Sequence, residues 1–201
     1  MGGPAKDEAP ICETEGQALV ALARQTIAGR LCLPVSEAER AALAPLLAAP
    51  ALQRHHGTFV TLKCRGQLRG CIGSLLGTTS IVEGVRENAL NAAFSDPRFP
   101  PLAAEEFGAV KVEVSVLTEP QPLDYTDAAD LLAKLRPGID GLIIRQGGCC
   151  ATFLPQVWEQ LPDPRQFLDH LCLKACLPMD SWQRGKLTVM TYQVQYFEER
   201  C

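Results

Sequence analysis

The sequence predicts an α+β fold built on a largely antiparallel mixed sheet flanked by helices. Three observations carry that prediction. About six strand-like and five or six helical runs follow one another in irregular order, without the steady βαβ alternation of a parallel sheet. Two turns, Arg65-Gly66 and Gly147-Gly148, each join two strand-like runs as a hairpin. Val110, Val112, Val114 and Val116 alternate with Lys111, Glu113 and Ser115, the period of two expected of a half-buried antiparallel strand.

Taken in order, Thr14-Glu15-Gly16-Gln17 fits a capping box, and Ala18, Leu19, Leu22, Ala23 and Ile27 recur behind it at helical spacing, with Gly29 as a stop. Ser36-Glu37-Ala38-Glu39 is a second capping box, opening an Ala/Leu-rich helix interrupted near Pro45 and Pro50. A strand is expected over residues 58–63 and its hairpin partner over 68–73. Ser80 caps the next helix, which runs to about Phe94 with Val82, Val85, Ala89 and Ala93 on its inner face. A short helix fits residues 127–136, ended by Pro137-Gly138. Residues 141–146 and 149–154 form the second hairpin. Asp163-Pro164 is a helix start, a carboxylate N-cap followed by Pro at the first helical position, and that helix should run to about Leu177. One last strand is expected over residues 187–197.

The 201 residues suit one domain, or one with a small lobe. Residues 1–10 read as a frayed tail without the apolar core of a signal peptide, and no stretch approaches the roughly 20 apolar residues that span a bilayer. The expected compartment is the cytoplasm. A net charge of −4, with no basic run and only 6% aromatics, argues against nucleic-acid binding. The 9 cysteines are an odd number, expected to be reduced and mostly buried as small hydrophobes. There is no Cys-x-x-Cys, Walker loop, Gly-x-Gly-x-x-Gly, His-Glu-x-x-His or Gly-x-Ser-x-Gly, so no metal site is expected and no cofactor is indicated.

The chemistry concentrates in Leu68-Arg69-Gly70-Cys71-Ile72-Gly73. Side chains two apart on a strand share a face, about 6.5–7 Å from each other. A guanidinium there favours the thiolate, the reactive form of Cys. Cys71 is the candidate nucleophile, Arg69 its electrostatic partner, and Gly70 and Gly73 let a ligand approach the backbone. The competing reading is a packed Cys and an Arg pinned to a carboxylate such as Asp96 or Glu113. His56 lies at the same end of the hairpin as Cys71 and is the candidate base. Asp96-Pro97-Arg98 reads as a loop clamp, or as half of an anion-binding corner completed by Arg69. Glu113 is an acid/base candidate or, the favoured reading, the partner of an Arg. Cys172 and Cys176 stand i, i+4 on a helix, and Cys149 and Cys150 point to opposite faces of a strand.

The segments Gly57–Leu62, Leu68–Gly73, 96–102, 112–117 and 151–157 occur in the order found in the AMMECR-type domain family, the family of the AmmeMemoRadiSam system, and the chain resembles that family over most of its length. The resemblance implies one domain over residues 11–199, with a main sheet, flanking helices and a smaller subdomain. It also implies a site around Arg69 and Cys71. The chain departs from the family at Lys174-Ala175-Cys176-Leu177, where Gly is the common form in place of Cys176. Two functions follow as expectations. One is a thiol-dependent cytosolic enzyme using Cys71 for acyl or related group transfer. The other is an accessory or substrate-binding protein acting with a Memo-like protein and a radical S-adenosylmethionine enzyme, the partners that the family resemblance implies.

Overall fold

The computed structural model describes residues 9–184 and 187–200. Most of the expected N-terminal tail, and Cys201, lie outside the described residues. Among those described, five α-helices and two four-stranded antiparallel sheets form the α+β architecture that the sequence predicts. The chain divides into two compact units, Met1–Leu117 with Gln195–Cys201, and Thr118–Val194.

In the first unit, α1 (Glu13–Arg30) has its N-cap two residues before the expected Thr14. Its N-cap is Cys12, whose N–H donates to the Glu15 carboxylate at 2.9 Å. It passes Gly29 and ends in a Schellman turn: Leu33 N–H donates to Ala28 O and Cys32 N–H to Gly29 O, with Cys32 left-handed at φ 57°. Helix α2 (Glu37–Leu47) is capped by Ser36 and continues through Pro45. Helix α3 (Ile81–Phe94) is capped by Ser80. Strands β1 (Thr58–Cys64), β2 (Gln67–Ser74), β3 (Val110–Leu117) and β8 (Val194–Glu198) make the sheet in the order β2-β1-β3-β8. Val60, Leu62, Val112 and Val114 bury one face of it in a core with Leu19, Ala23 and Ile27 of α1 and Val85 and Ala89 of α3. Asn88 of α3 is tied to β1 by donating to the carbonyl and hydroxyl oxygens of Thr58.

The β1–β2 hairpin fixes which face each residue of β2 takes. Arg65 (φ 50°) and Gly66 (φ 78°) form a two-residue turn with both φ positive, the type that matches strand twist. From the turn, Cys64 pairs with Gln67 and Lys63 with Leu68. The register then shifts, so that Leu62 pairs with Gly70 and Thr61 with Cys71, leaving Arg69 as the extra residue of a β-bulge. Without the bulge, Cys71 would stand opposite Val60, on the core face. With it, Cys71 stands opposite Thr61, on the face turned away from the core, because a one-residue slip exchanges the two faces of a strand.

The second unit contains β4 (Gln121–Pro122), α4 (Ala128–Lys134), β5 (Gly141–Gln146), β6 (Cys149–Phe153), α5 (Pro164–Lys174) and β7 (Thr188–Tyr192), with sheet order β4-β7-β5-β6. Its core gathers Leu142, Ile144, Phe167, Leu171 and Trp182, and the Trp158 ring stacks on Phe167 with centroids 3.7 Å apart. Burial pushes the Tyr192 hydroxyl up to about 12, and that hydroxyl bonds to Thr152 and the Phe153 carbonyl. The single strand expected over residues 187–197 is two strands. They part at Gln193, β7 joins the second sheet and β8 the first. The β alternation runs through both, so periodicity alone could not reveal the break.

Candidate functional site

Cys71 is half-buried on β2, the edge strand of the first sheet. Across the hairpin, the Thr61 hydroxyl donates to Cys71 Sγ at 3.3 Å. One strand further, Thr61 pairs with Glu113, so Cys71, Thr61 and Glu113 form a row on the non-core face. Lys63 lies on that face as well, and its ammonium bonds Glu113 at 2.9 Å and Glu198 at 3.0 Å. Glu113, the nearer carboxylate, raises the lysine's pKa, Glu198 adds to the effect and burial opposes it. Glu113 therefore pairs with a lysine rather than an arginine.

The backbone of Cys71 is held on its outer side, where an edge strand has no neighbour. Its N–H donates to Asp96 Oδ2 at 2.9 Å, and its carbonyl accepts from Arg98 Nη2 at 3.1 Å. Arg98 forks onto the same carboxylate through Nε (2.9 Å) and Nη2 (2.7 Å), and its own backbone N–H donates to Oδ1 at 3.1 Å. The Asp96 side chain is 2% exposed and that of Arg98 53%. Arg98 holds the Asp96 carboxyl well below the usual range; burial opposes this, and the Cys71 N–H works in the same direction as Arg98. Asp96 thus accepts four hydrogen bonds, about the capacity of a carboxylate.

Arg69 does not share a strand face with Cys71 in the expected way, because it is the bulge residue. It forks onto Glu106, with Nε at 3.1 Å and Nη2 at 3.0 Å. The guanidinium, with the Ala103 N–H behind it, lowers the pKa of Glu106. Both Arg69 and Arg98 lie over the Phe99 ring, at 5.9 and 5.5 Å. Each guanidinium carries its own carboxylate, so the two do not stand as an open anion-binding corner.

The two glycines serve packing. A Cβ on Gly70 would collide with the Ala92 carbonyl of α3, and one on Gly73 with the Phe59 ring and the Thr58 carbonyl. His56 precedes β1, and its Nδ1–H donates to the Leu117 carbonyl at 2.8 Å. It stands five residues from Thr61, the residue opposite Cys71, or roughly 16 Å along an extended chain. Its Nδ1 is held by the last residue of β3 rather than by Cys71.

The cysteines differ from expectation. Among the described residues all are free thiols, but only Cys172 is buried, whereas Cys12, Cys32, Cys150 and Cys176 are exposed. Cys176 is not helical: it occupies the left-handed position after α5 (φ 59°), where a glycine is usual. Among the described residues, no three His, Cys, Asp or Glu side chains gather as a metal site, and no helix is long and apolar enough to cross a membrane.

Two residues of the site escape a reading of the sequence. Thr61 becomes the thiol's donor only through the bulged register, and Glu106 lies 37 residues from its Arg69 partner. The alternation of β1, which puts Phe59, Thr61 and Lys63 together, was the available signal for Thr61.

The sequence profile of the AMMECR1 family matches residues 20–197. A protein of Methanothermobacter thermautotrophicus is 38% identical over 192 residues, covering 95% of this chain and 97% of that one. One of Thermofilum pendens is 39% identical over 196 residues, covering 92% and 90%. The crystal structure of the uncharacterized protein PH0010 from Pyrococcus horikoshii superposes with a TM-score of 0.80 at 34% identity, covering 94% of each chain. In profile, in sequence and in fold, this chain belongs to the AMMECR1 family.

Proposed function

We propose that this chain is a cytosolic thiol-dependent enzyme with Cys71 as its nucleophile. The observation that carries the reading is the Thr61 hydroxyl donating to Cys71 Sγ at 3.3 Å on the non-core face of the sheet. A hydroxyl donor stabilises a thiolate more than a thiol, since bonds to charged acceptors are the stronger ones. The reaction class is acyl or related group transfer. Sγ attacks an electrophilic carbon, the carbon–sulfur bond forms, the leaving group departs with its bonding pair, and the thiol proton passes to water. Nδ1 of His56 is engaged by the Leu117 carbonyl, so the reading relies on the Thr61 donor and solvent rather than on a Cys–His pair.

The test is alkylation of the native protein at neutral pH, followed by mass spectrometry. Cys71 should label well before global unfolding, and Thr61→Val should slow its labelling several-fold at pH 7 by removing a donor whose bond to a charged acceptor is worth about 1.5 kcal/mol. A Cys71 that labels only on unfolding overturns the reading. The chain would then be better understood as an accessory protein, and co-purification with Memo-like and radical S-adenosylmethionine proteins would be the next experiment.

A further inference from the structure

We propose that the Asp96–Arg98 pair is a positioning device for the Cys71 thiol, standing in for the missing outer neighbour of β2 and cancelling its own charge beside the sulfur. This rests on the reading of Cys71 as the reactive group.

The geometry has two parts. An edge strand turns every second residue's N–H and C=O outward, where they would otherwise bond water or another chain. At Cys71 both outward groups are taken: the N–H by Asp96 and the carbonyl by Arg98. The partners are themselves locked by the fork between them and by the Arg98 backbone N–H on Asp96. The pair therefore supplies one donor and one acceptor at the spacing a neighbouring strand would offer, at the one residue of β2 that carries the thiol. The flanking Gly70 and Ile72 amides are turned toward β1 by the antiparallel alternation, so the pair grips the position that β1 leaves unheld.

The second part is electrostatic. A carboxylate alone beside Cys71 would oppose the thiolate, and a guanidinium alone would favour it. Joined as a fork, the two largely cancel. Splitting the pair from either side should therefore move the thiol's reactivity in opposite directions. A role confined to holding the loop would loosen the strand whichever partner is lost, and would change reactivity in one direction only.

The experiment compares the pH profile of Cys71 alkylation in wild type, Asp96→Asn and Arg98→Gln at low salt. Asp96→Asn leaves an unpaired guanidinium, and labelling at pH 7 should rise several-fold with the profile moving to lower pH. Arg98→Gln leaves an unpaired carboxylate, and labelling should fall several-fold with the profile moving to higher pH. Both displacements should shrink at high salt. Arg98 is more than half exposed, so its variant keeps the test open if the buried Asp96 tolerates no change. Shifts in the same direction, or none, overturn the electrostatic role.

Hydrogen exchange tests the grip independently of the thiol's reactivity. In Asp96→Ala, or in Asp96→Asn if the former does not fold, the Cys71 amide loses its charged acceptor and should exchange at least several-fold faster, while Gly70 and Ile72 change little. An unchanged Cys71 amide overturns the positioning role. A thiol that never labels natively, with a Cys71 amide that loses protection, would sink the enzyme reading and leave the grip standing.

Discussion

Replacing Cys176 by glycine should stabilise this protein. Helix α5 ends at Lys174, and the chain leaves it through a Schellman turn in which Leu177 N–H donates to Cys172 O and Cys176 N–H to Leu173 O, both at 2.9 Å. The turn requires Cys176 at φ 59°. A residue with a Cβ pays about 1–2 kcal/mol for that conformation. Glycine pays nothing there, but the unfolded chain gains freedom worth roughly 0.5–1 kcal/mol. Cys176 is exposed, so little packing is lost with its side chain. The balance is a gain of about 0.5–1 kcal/mol, or roughly 1–4 °C in Tm for a chain of this size. Urea unfolding of wild type, Cys176→Gly and Cys176→Ala decides the matter, because alanine keeps the Cβ penalty while removing the sulfur. Glycine should raise the midpoint at constant m-value, and alanine should stay close to wild type. A glycine variant no more stable than the alanine variant would refute the reasoning, since the left-handed backbone would then carry no measurable cost. The same geometry at Cys32 makes Cys32→Gly a parallel case.

Two further predictions concern the ground on which Cys71 stands. Gly70→Ala places a methyl group against the Ala92 backbone carbonyl, which cannot rotate away, and should cost about 2–3 kcal/mol in urea unfolding; a loss under about 0.5 kcal/mol would show that α3 is free to move off the sheet. The folded Asp96 carboxyl titrates well below the unfolded value of about 3.9, so its contribution is present above that pH and is lost as pH falls from there toward the folded value. The stability gap between wild type and Asp96→Asn should accordingly be constant between pH 5 and 7 and narrow by pH 3, and a gap that stays constant down to pH 3 would count against the ion pair as its source.

Much of the fold was legible because its signals are local. Ser36 and Ser80 cap the helices they were expected to cap, and Asp163-Pro164 opens α5. Arg65-Gly66 turns the hairpin, and the valine alternation of β3 buries its valines. The helix over residues 164–174 ended earlier than expected because Cys176 adopts the left-handed conformation, a choice that no intrinsic preference of cysteine announces. Cys12 capped α1 in place of Thr14, again against the ordinary ranking of cap residues.

By itself, then, the sequence determined the fold class, the family, and the positions of most helices and hairpins. Each of these depends on preferences expressed within a few residues or on a pattern repeated along the chain. Tertiary structure alone decided the rest. A single extra residue at Arg69 turned Cys71 from the core face to the polar face and drew Thr61 beside it. Glu106 and Asp96 claimed the two arginines, and Lys63 claimed Glu113. The last strand was divided between two sheets. Ion-pair partners and strand register are settled by which distant groups the packed chain brings within reach, and charge or periodicity along the sequence is the same for every candidate partner until the core has formed.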